Sequence, residues 1–150
     1  MKETPLEKKI HNNMKAAVMS INGFLGKDNR HFHEIVEKDC AILEKLGKTG
    51  EEIAQRMQYF TDKAFDNYMG ASLIDEIYEV NYSTVRGKMQ CPFAHRGLFR
   101  KGSVTLENKQ NGIKLCWTPL NIHMIREHNF FEGEGSEHRL NPEDLVKGLF

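Results

Sequence analysis

The chain has 150 residues, and 21 Lys and Arg balance 21 Asp and Glu, so its formal net charge is zero. That length suits one domain with a proper core or two small units sharing one, and 39% hydrophobic against 28% charged residues marks a globular chain rather than a disordered one. Zero net charge argues against non-specific phosphate binding as the main activity, no apolar run approaches the ~20 residues of a membrane span, and three scattered cysteines, Cys40, Cys91 and Cys116, do not make a disulfide framework.

The opening MKETPLEKK lacks the apolar core of a secretion signal, so a cytoplasmic location is expected. Thr4 as cap, Pro5 at the first helical position and Glu7 completing a capping box predict a helix start. Leu6, Ile10, Met14, Ala17, Val18 and Ile21 follow at helical spacing, and Gly23 or Gly26 would stop the run. A second helix is predicted over about residues 29–46, with Phe32, Ile35, Val36, Leu43 and Leu46 as its stripe, Cys40 on the same side and Gly47 as the stop. Thr49 and Glu52 form another capping box, opening a third helix with the stripe Ile53, Met57, Phe60, Ala64 and Tyr68 and an end at Gly70. Helices apolar on one side, with short joints, predict an antiparallel bundle that must pack on something further.

Beyond Gly70 the period changes. Ser72 and Asp75 would start a short helical turn. Tyr78, Val80 and Tyr82 alternate with Glu79, Asn81 and Ser83, the mark of a half-buried strand, and Val104 and Leu106 follow the same rule. Asn111 and Gly112 signal a turn inside a hairpin loop at 108–112, with a return strand over 113–117. Thr118 and Pro119 open a helix that turns Leu120, Met124 and Ile125 inward and ends at a left-handed Asn129. Asn141, Pro142, Glu143 and Asp144 open the last helix, with Leu140 and Leu145 stapled across its cap. The expected class is therefore α+β: an N-terminal antiparallel bundle of about three helices over residues 1–70, packed on a C-terminal α+β unit over residues 71–150, a small antiparallel sheet with two short helices.

Residues 91–139 concentrate the chemistry, holding four of the seven His and two of the three Cys. Cys91 with His95, and His123 with His128, place soft and borderline ligands on either side of a hairpin–helix corner. Zinc takes Cys and His in tetrahedral sets, and His-x3–5-His is a usual ligand spacing, so these four are the expected zinc ligands, with Cys116 as a substitute. One geometric obstacle stands: five helical residues turn a side chain by about 500°, leaving His123 and His128 about 140° apart. They converge only if the helix tightens or ends near His128. A catalytic reading uses the same residues. Glu127, four after His123, would orient the imidazole or act as base beside a metal-bound water, and Cys91 with His95 or His123 would form a thiolate–imidazolium pair.

Phe130 and Phe131 read as a hydrophobic plug between helix and sheet. Gly133 and Gly135 then loosen the backbone, but Rossmann and P-loop readings fail on context, and Glu132, Glu134 and Glu137 oppose phosphate. The turn is read as presenting Arg139, the candidate anion-binding residue, to a carboxylate. Arg96, Arg100 and Lys101 with Phe93 and Phe99 interleaved have the composition of a single-strand nucleic-acid surface. His33 and Glu37 have the spacing of a helix-bundle metal pair, yet their obvious companion on another helix is His11 alone, so His31 and His33 read as a solvated helix start. The functional expectation is a cytoplasmic zinc-stabilised interaction or regulatory module whose helical half meets a protein partner or a second copy. The alternatives are a metal- or thiol-dependent enzyme using His123, Glu127 and Cys91, and a nucleic-acid-binding accessory protein.

Overall fold

Side-chain caps decide where most of these helices begin. The computed structural model describes residues 4–15, 23–66, 72–93, 96–136 and 138–150. The first helix, α1 (Pro5–Asn13), starts where Thr4 Oγ1 accepts the Glu7 N–H at 3.1 Å. It ends at Met14, well short of Gly23, and Ala17, Val18 and Ile21 lie outside the described residues. Ile10 and Met14 are buried, but Leu6, expected in the same stripe, is 57% exposed. The second helix, α2 (Phe32–Leu46), begins later than expected, because His31 is its cap and its Nδ1 accepts the His33 N–H at 3.2 Å. Gly47 closes α2 at φ 70°, a conformation glycine adopts without steric cost. The third, α3 (Gly50–Asp66), opens on the predicted capping box: Thr49 Oγ1 accepts the Glu52 N–H at 3.2 Å and Glu52 Oε1 accepts the Thr49 N–H at 3.3 Å. Tyr68 and Gly70 lie outside the described residues.

Among the described residues six strands follow: β1 (Ser72–Ile74), β2 (Tyr78–Ser83), β3 (Lys88–Gln90), β4 (Leu98–Arg100), β5 (Ser103–Asn108) and β6 (Lys114–Trp117); then come α4 (Pro119–His128) and α5 (Pro142–Leu149). The class is α+β, with the sheet in the C-terminal half. The main sheet has the order β1-β2-β5-β6 and is antiparallel throughout, while β3 and β4 pair separately as a two-stranded hairpin. The helical turn expected at Ser72 and Asp75 is instead strand β1 followed by a reversal, in which Asp75 and Glu76 hold φ at 52° and 61°.

One sheet face is apolar, as the period-2 pattern requires. Val80 sits opposite Leu106, which sits opposite Leu115, and Tyr82 opposite Val104, which sits opposite Trp117. Helix α3 packs against this face, and Trp117 Nε1 donates to Thr61 Oγ1 at 2.9 Å, tying indole to helix in a dry core. The other face carries Glu79, Asn81, Thr105, Lys114 and Cys116 and is polar. A second apolar cluster gathers Ile10, Met14, Phe32 and Ile35 around Cys91, Met124 and Phe130. Phe130 and Phe131 are both fully buried, yet the first belongs to this cluster and the second to the sheet core. The pair joins the two cores through consecutive residues. No helix among the described residues is long and apolar enough to cross a membrane.

The turn at residues 23–28, between α1 and α2, is docked backbone to backbone on the turn at 133–136. Gly133 N–H donates to the Phe24 carbonyl at 2.8 Å and Lys27 N–H to the Glu134 carbonyl at 2.9 Å. Asp28 secures the joint by accepting from Arg30 Nε at 2.8 Å and from the Glu134 N–H at 3.3 Å, and the Arg30 guanidinium holds its carboxyl far below the usual carboxylate range. A methyl on Gly133 would lie 2.7 Å from Leu25 Cα and closer still to its carbonyl. Both obstacles are backbone, which cannot move aside as a side-chain tip can. Gly133→Ala is expected to cost about 1–3 kcal/mol, an overpacking penalty read as a lowered urea midpoint. An unchanged midpoint would mean that the two turns do not press on each other.

Candidate metal centre

Cys91 follows β3 directly and is fully buried. The next residue is pinned from α1: Asn13 Nδ2 donates to the Pro92 carbonyl at 3.1 Å. The two imidazoles come from α4, whose start is fixed by a reciprocal box, Thr118 Oγ1 accepting the Asn121 N–H at 3.2 Å and Asn121 Oδ1 accepting the Thr118 N–H at 2.9 Å. Asn129 caps the other end at φ 52° and ψ 35°, so the helix stops at His128 as expected.

That stop matters for the geometry. No further helical turn follows His128, and Phe93 stacks on its ring at 3.8 Å and 7°. Phe99, from β4, packs against the His123 ring at 4.6 Å. The two imidazoles then meet edge to face, with centroids 5.6 Å apart and planes at 78°. The result is a cluster in which one donor atom each from Cys91, His123 and His128 lies within 4.8 Å of the other two. This group can hold a metal ion. A tetrahedral ion with bonds of roughly 2.0–2.3 Å needs donor–donor edges of roughly 3.3–3.6 Å, within reach of small side-chain rotations from this arrangement. Thiolate and imidazole donors are the set that soft and borderline transition metals prefer, and the half-buried rings and buried sulfur exclude much of the competing water.

Comparison with protein-family models, with curated proteins and with solved structures finds no match to this chain. Function is argued from the geometry.

Of the four expected ligands, Cys91, His123 and His128 come together, and His95 lies outside the described residues. Cys116 is elsewhere: it is exposed on the polar face of β6, opposite Thr105. Glu127 is exposed and shares no hydrogen bond with His123 among the described residues. Arg139 meets a carboxylate of the chain itself. Its Nη1 and Nη2 donate to Asp39 at 2.6 and 3.0 Å, and Nη1 also donates to the Glu132 carbonyl at 2.7 Å. The second histidine group forms a clasp between α1 and α2. His11 and His31 stack at 4.6 Å, and His33 Nε2 lies 2.8 Å from Glu7 Oε2, a partner on the other helix rather than the Glu37 that spacing suggested. The His33 contact holds the Glu7 carboxyl below its usual range.

Sequence reasoning missed the residues that support the site. Phe93 and Phe99, whose place among basic residues gives the composition of a single-strand surface, both turn toward the imidazoles. Asn13 gave no signal, since its role depends on a carbonyl 79 residues away.

Proposed function

We propose that this chain is a zinc-stabilised interaction module, in which the metal joins the β3–β4 hairpin to helix α4. The observation that supports it is the convergence of one thiol and two imidazoles from two separate elements at a corner the chain already braces. Asn13 holds Pro92, Phe93 stacks on His128 and Phe99 on His123, so partners outside the ligand set orient two of the ligands and anchor the loop of the third. Zinc is the metal that donors of this kind bind in structural sites, and a closed set of four would make the site structural. Three-residue strands have little stability of their own, and the hairpin they form gains rigidity from a metal at its loop end.

A second reading leaves the fourth position of the site to water. Three protein ligands with water in the fourth position is the pattern of catalytic zinc. His95, four residues after Cys91, decides between them. The test is elemental analysis of the purified protein and of Cys91→Ala, His123→Ala, His128→Ala and His95→Ala. Zinc is expected in the parent and is expected to be lost from the first three variants. Loss from His95→Ala as well gives the closed, structural set, and retention there gives the open site of an enzyme. Zinc absent from the parent, or kept in full by Cys91→Ala and His128→Ala, would refute the ligand set.

A further inference from the structure

The chain as a whole is neutral, but its charge is not evenly spread. Residues 80–106 contain five of the 21 basic residues and none of the 21 acidic ones. The structure gathers these five, Arg86, Lys88, Arg96, Arg100 and Lys101, on and beside one element, the β3–β4 hairpin, and all five are exposed. The hairpin is two-faced. Met89 and Phe99, paired across it, turn inward against the second apolar cluster, while Lys88, Gln90, Leu98 and Arg100 face solvent.

Lys88 and Arg100 stand directly opposite each other in the strand register. Like charges in that position repel and weaken the pairing. Among the described residues none of the five cations has an ion-pair partner, and the contact made by Arg100 is with the face of Phe65, at 5.7 Å. Lys109, by contrast, pairs with both Glu79 and Glu107. A cross-strand cation pair in an acid-free segment is a cost in the isolated protein that a polyanion would remove.

We infer that the β3–β4 hairpin is a cationic ribbon that lies on the phosphate backbone of a nucleic-acid duplex. A two-stranded ribbon fits the major groove of DNA, and the planar forks of Arg86, Arg96 and Arg100 match phosphate oxygens in pairs. A single strand is the weaker fit, because stacking on bases needs open aromatic faces, and Phe93 and Phe99 are packed on His128 and His123. A lipid surface is weaker too: it calls for a broad apolar face beside the cations, and the large apolar side chains exposed beside them among the described residues are Val85, Leu98 and the Phe65 ring under Arg100. The ribbon rests on the metal reading only for its rigidity, since the proposed ion sits at its loop end.

The test measures binding of the full-length, metal-loaded protein to short labelled DNA and RNA duplexes, to a single strand, and to phosphatidylserine vesicles. Duplex affinity is expected to fall on the order of a hundredfold between about 50 and about 200 mM salt, as several phosphate contacts require. The Lys88→Gln/Arg100→Gln double variant, which touches no metal ligand, is expected to bind at least roughly tenfold more weakly and to lower the salt slope by roughly two. The Lys45→Gln/Lys147→Gln variant removes the same charge from α2 and α5 and is expected to bind as the parent does. Whichever duplex binds tighter names the nucleic acid. No duplex binding, salt-insensitive binding, equal loss in both double variants, or preference for the single strand or the vesicles would each overturn the inference. Metal content read in the same samples separates the two proposals. Zinc-loaded protein that ignores duplexes defeats the ribbon alone, and zinc-free protein that binds with the expected slope defeats the metal centre alone.

Discussion

Arg139→Met is expected to destabilise the protein by about 3–5 kcal/mol, the usual cost of stranding one member of a buried ion pair. Asp39 lies on α2 with its side chain 2% exposed, and Arg139 lies in the loop before α5 at 14%. The pair is bidentate, and the same guanidinium also holds the Glu132 carbonyl, at a residue whose φ is 67° and whose side chain is itself buried. Removing the cation leaves a carboxylate out of water without a counter-charge. Removing both charges does not: Asp39→Leu/Arg139→Met is expected to be far more stable than Arg139→Met, and the interaction term from chemical denaturation of the two singles and the double measures the pair. A single variant costing under about 1 kcal/mol would show a pair that water screens as it does on a surface. The guanidinium fork is filled by Asp39, so Arg139 ties α2 to the C-terminal loop as a structural bond.

That arginine shows how far sequence reasoning reaches. The glycine turn and its arginine pointed to a carboxylate partner, but not to one 100 positions away. Local chemistry was legible at four of the helix starts: Thr4, Thr49, Thr118 and Asn141 all cap where their side chains and following residues said they would. Period-2 alternation located β2 and β5, because six residues are enough to display it. Three-residue strands are not. β1, β3 and β4 carry no period of their own and exist through their pairing, which is why a helical turn was expected at Ser72 and no strand was expected on either side of Cys91. Leu6 misled for the opposite reason, having the right spacing on a helix too short and too peripheral to bury it.

The candidate site divides the same way. Donor type and the helix stop at Asn129 were both readable, but His123 and His128 both lie within α4, so neither removes the objection that they leave the helix about 140° apart. Their convergence on Cys91 was not readable, because it depends on Phe93 and Phe99 crossing from the hairpin to brace the rings. The acid-free run of residues 80–106 is a property of the sequence, beneath a net charge of zero; that Lys88 and Arg100 face each other is a property of the strand register.

Metal removal is expected to loosen one half of the molecule and spare the other. The two apolar clusters differ in what they hold: α3, the sheet and Leu145 of α5 in one, Cys91 with α1 and the start of α2 in the other. A ligand that binds only the folded state stabilises it by about 4 kcal/mol when present at a thousand times its dissociation constant. Chelation withdraws that term from the second cluster first, since the proposed ion lies there. Backbone amides of Met89, Phe99 and Lys101 are therefore expected to exchange with solvent orders of magnitude faster in chelator, as are those around Ile10 and Phe32, whose packing ends against the same loop. Amides of Val80, Val104 and Leu106, in the middle of the four-stranded sheet, are expected to keep most of their protection, since Trp117 and α3 cover them without help from the metal. Hydrogen exchange by NMR, with and without chelator, resolves the two sets residue by residue. If every amide loosened equally, the two clusters would form one cooperative unit with the ion stabilising all of it. If none did, Cys91, His123 and His128 would be packed neighbours that bind nothing, and the hairpin would owe its position to Phe93, Phe99 and Asn13 alone.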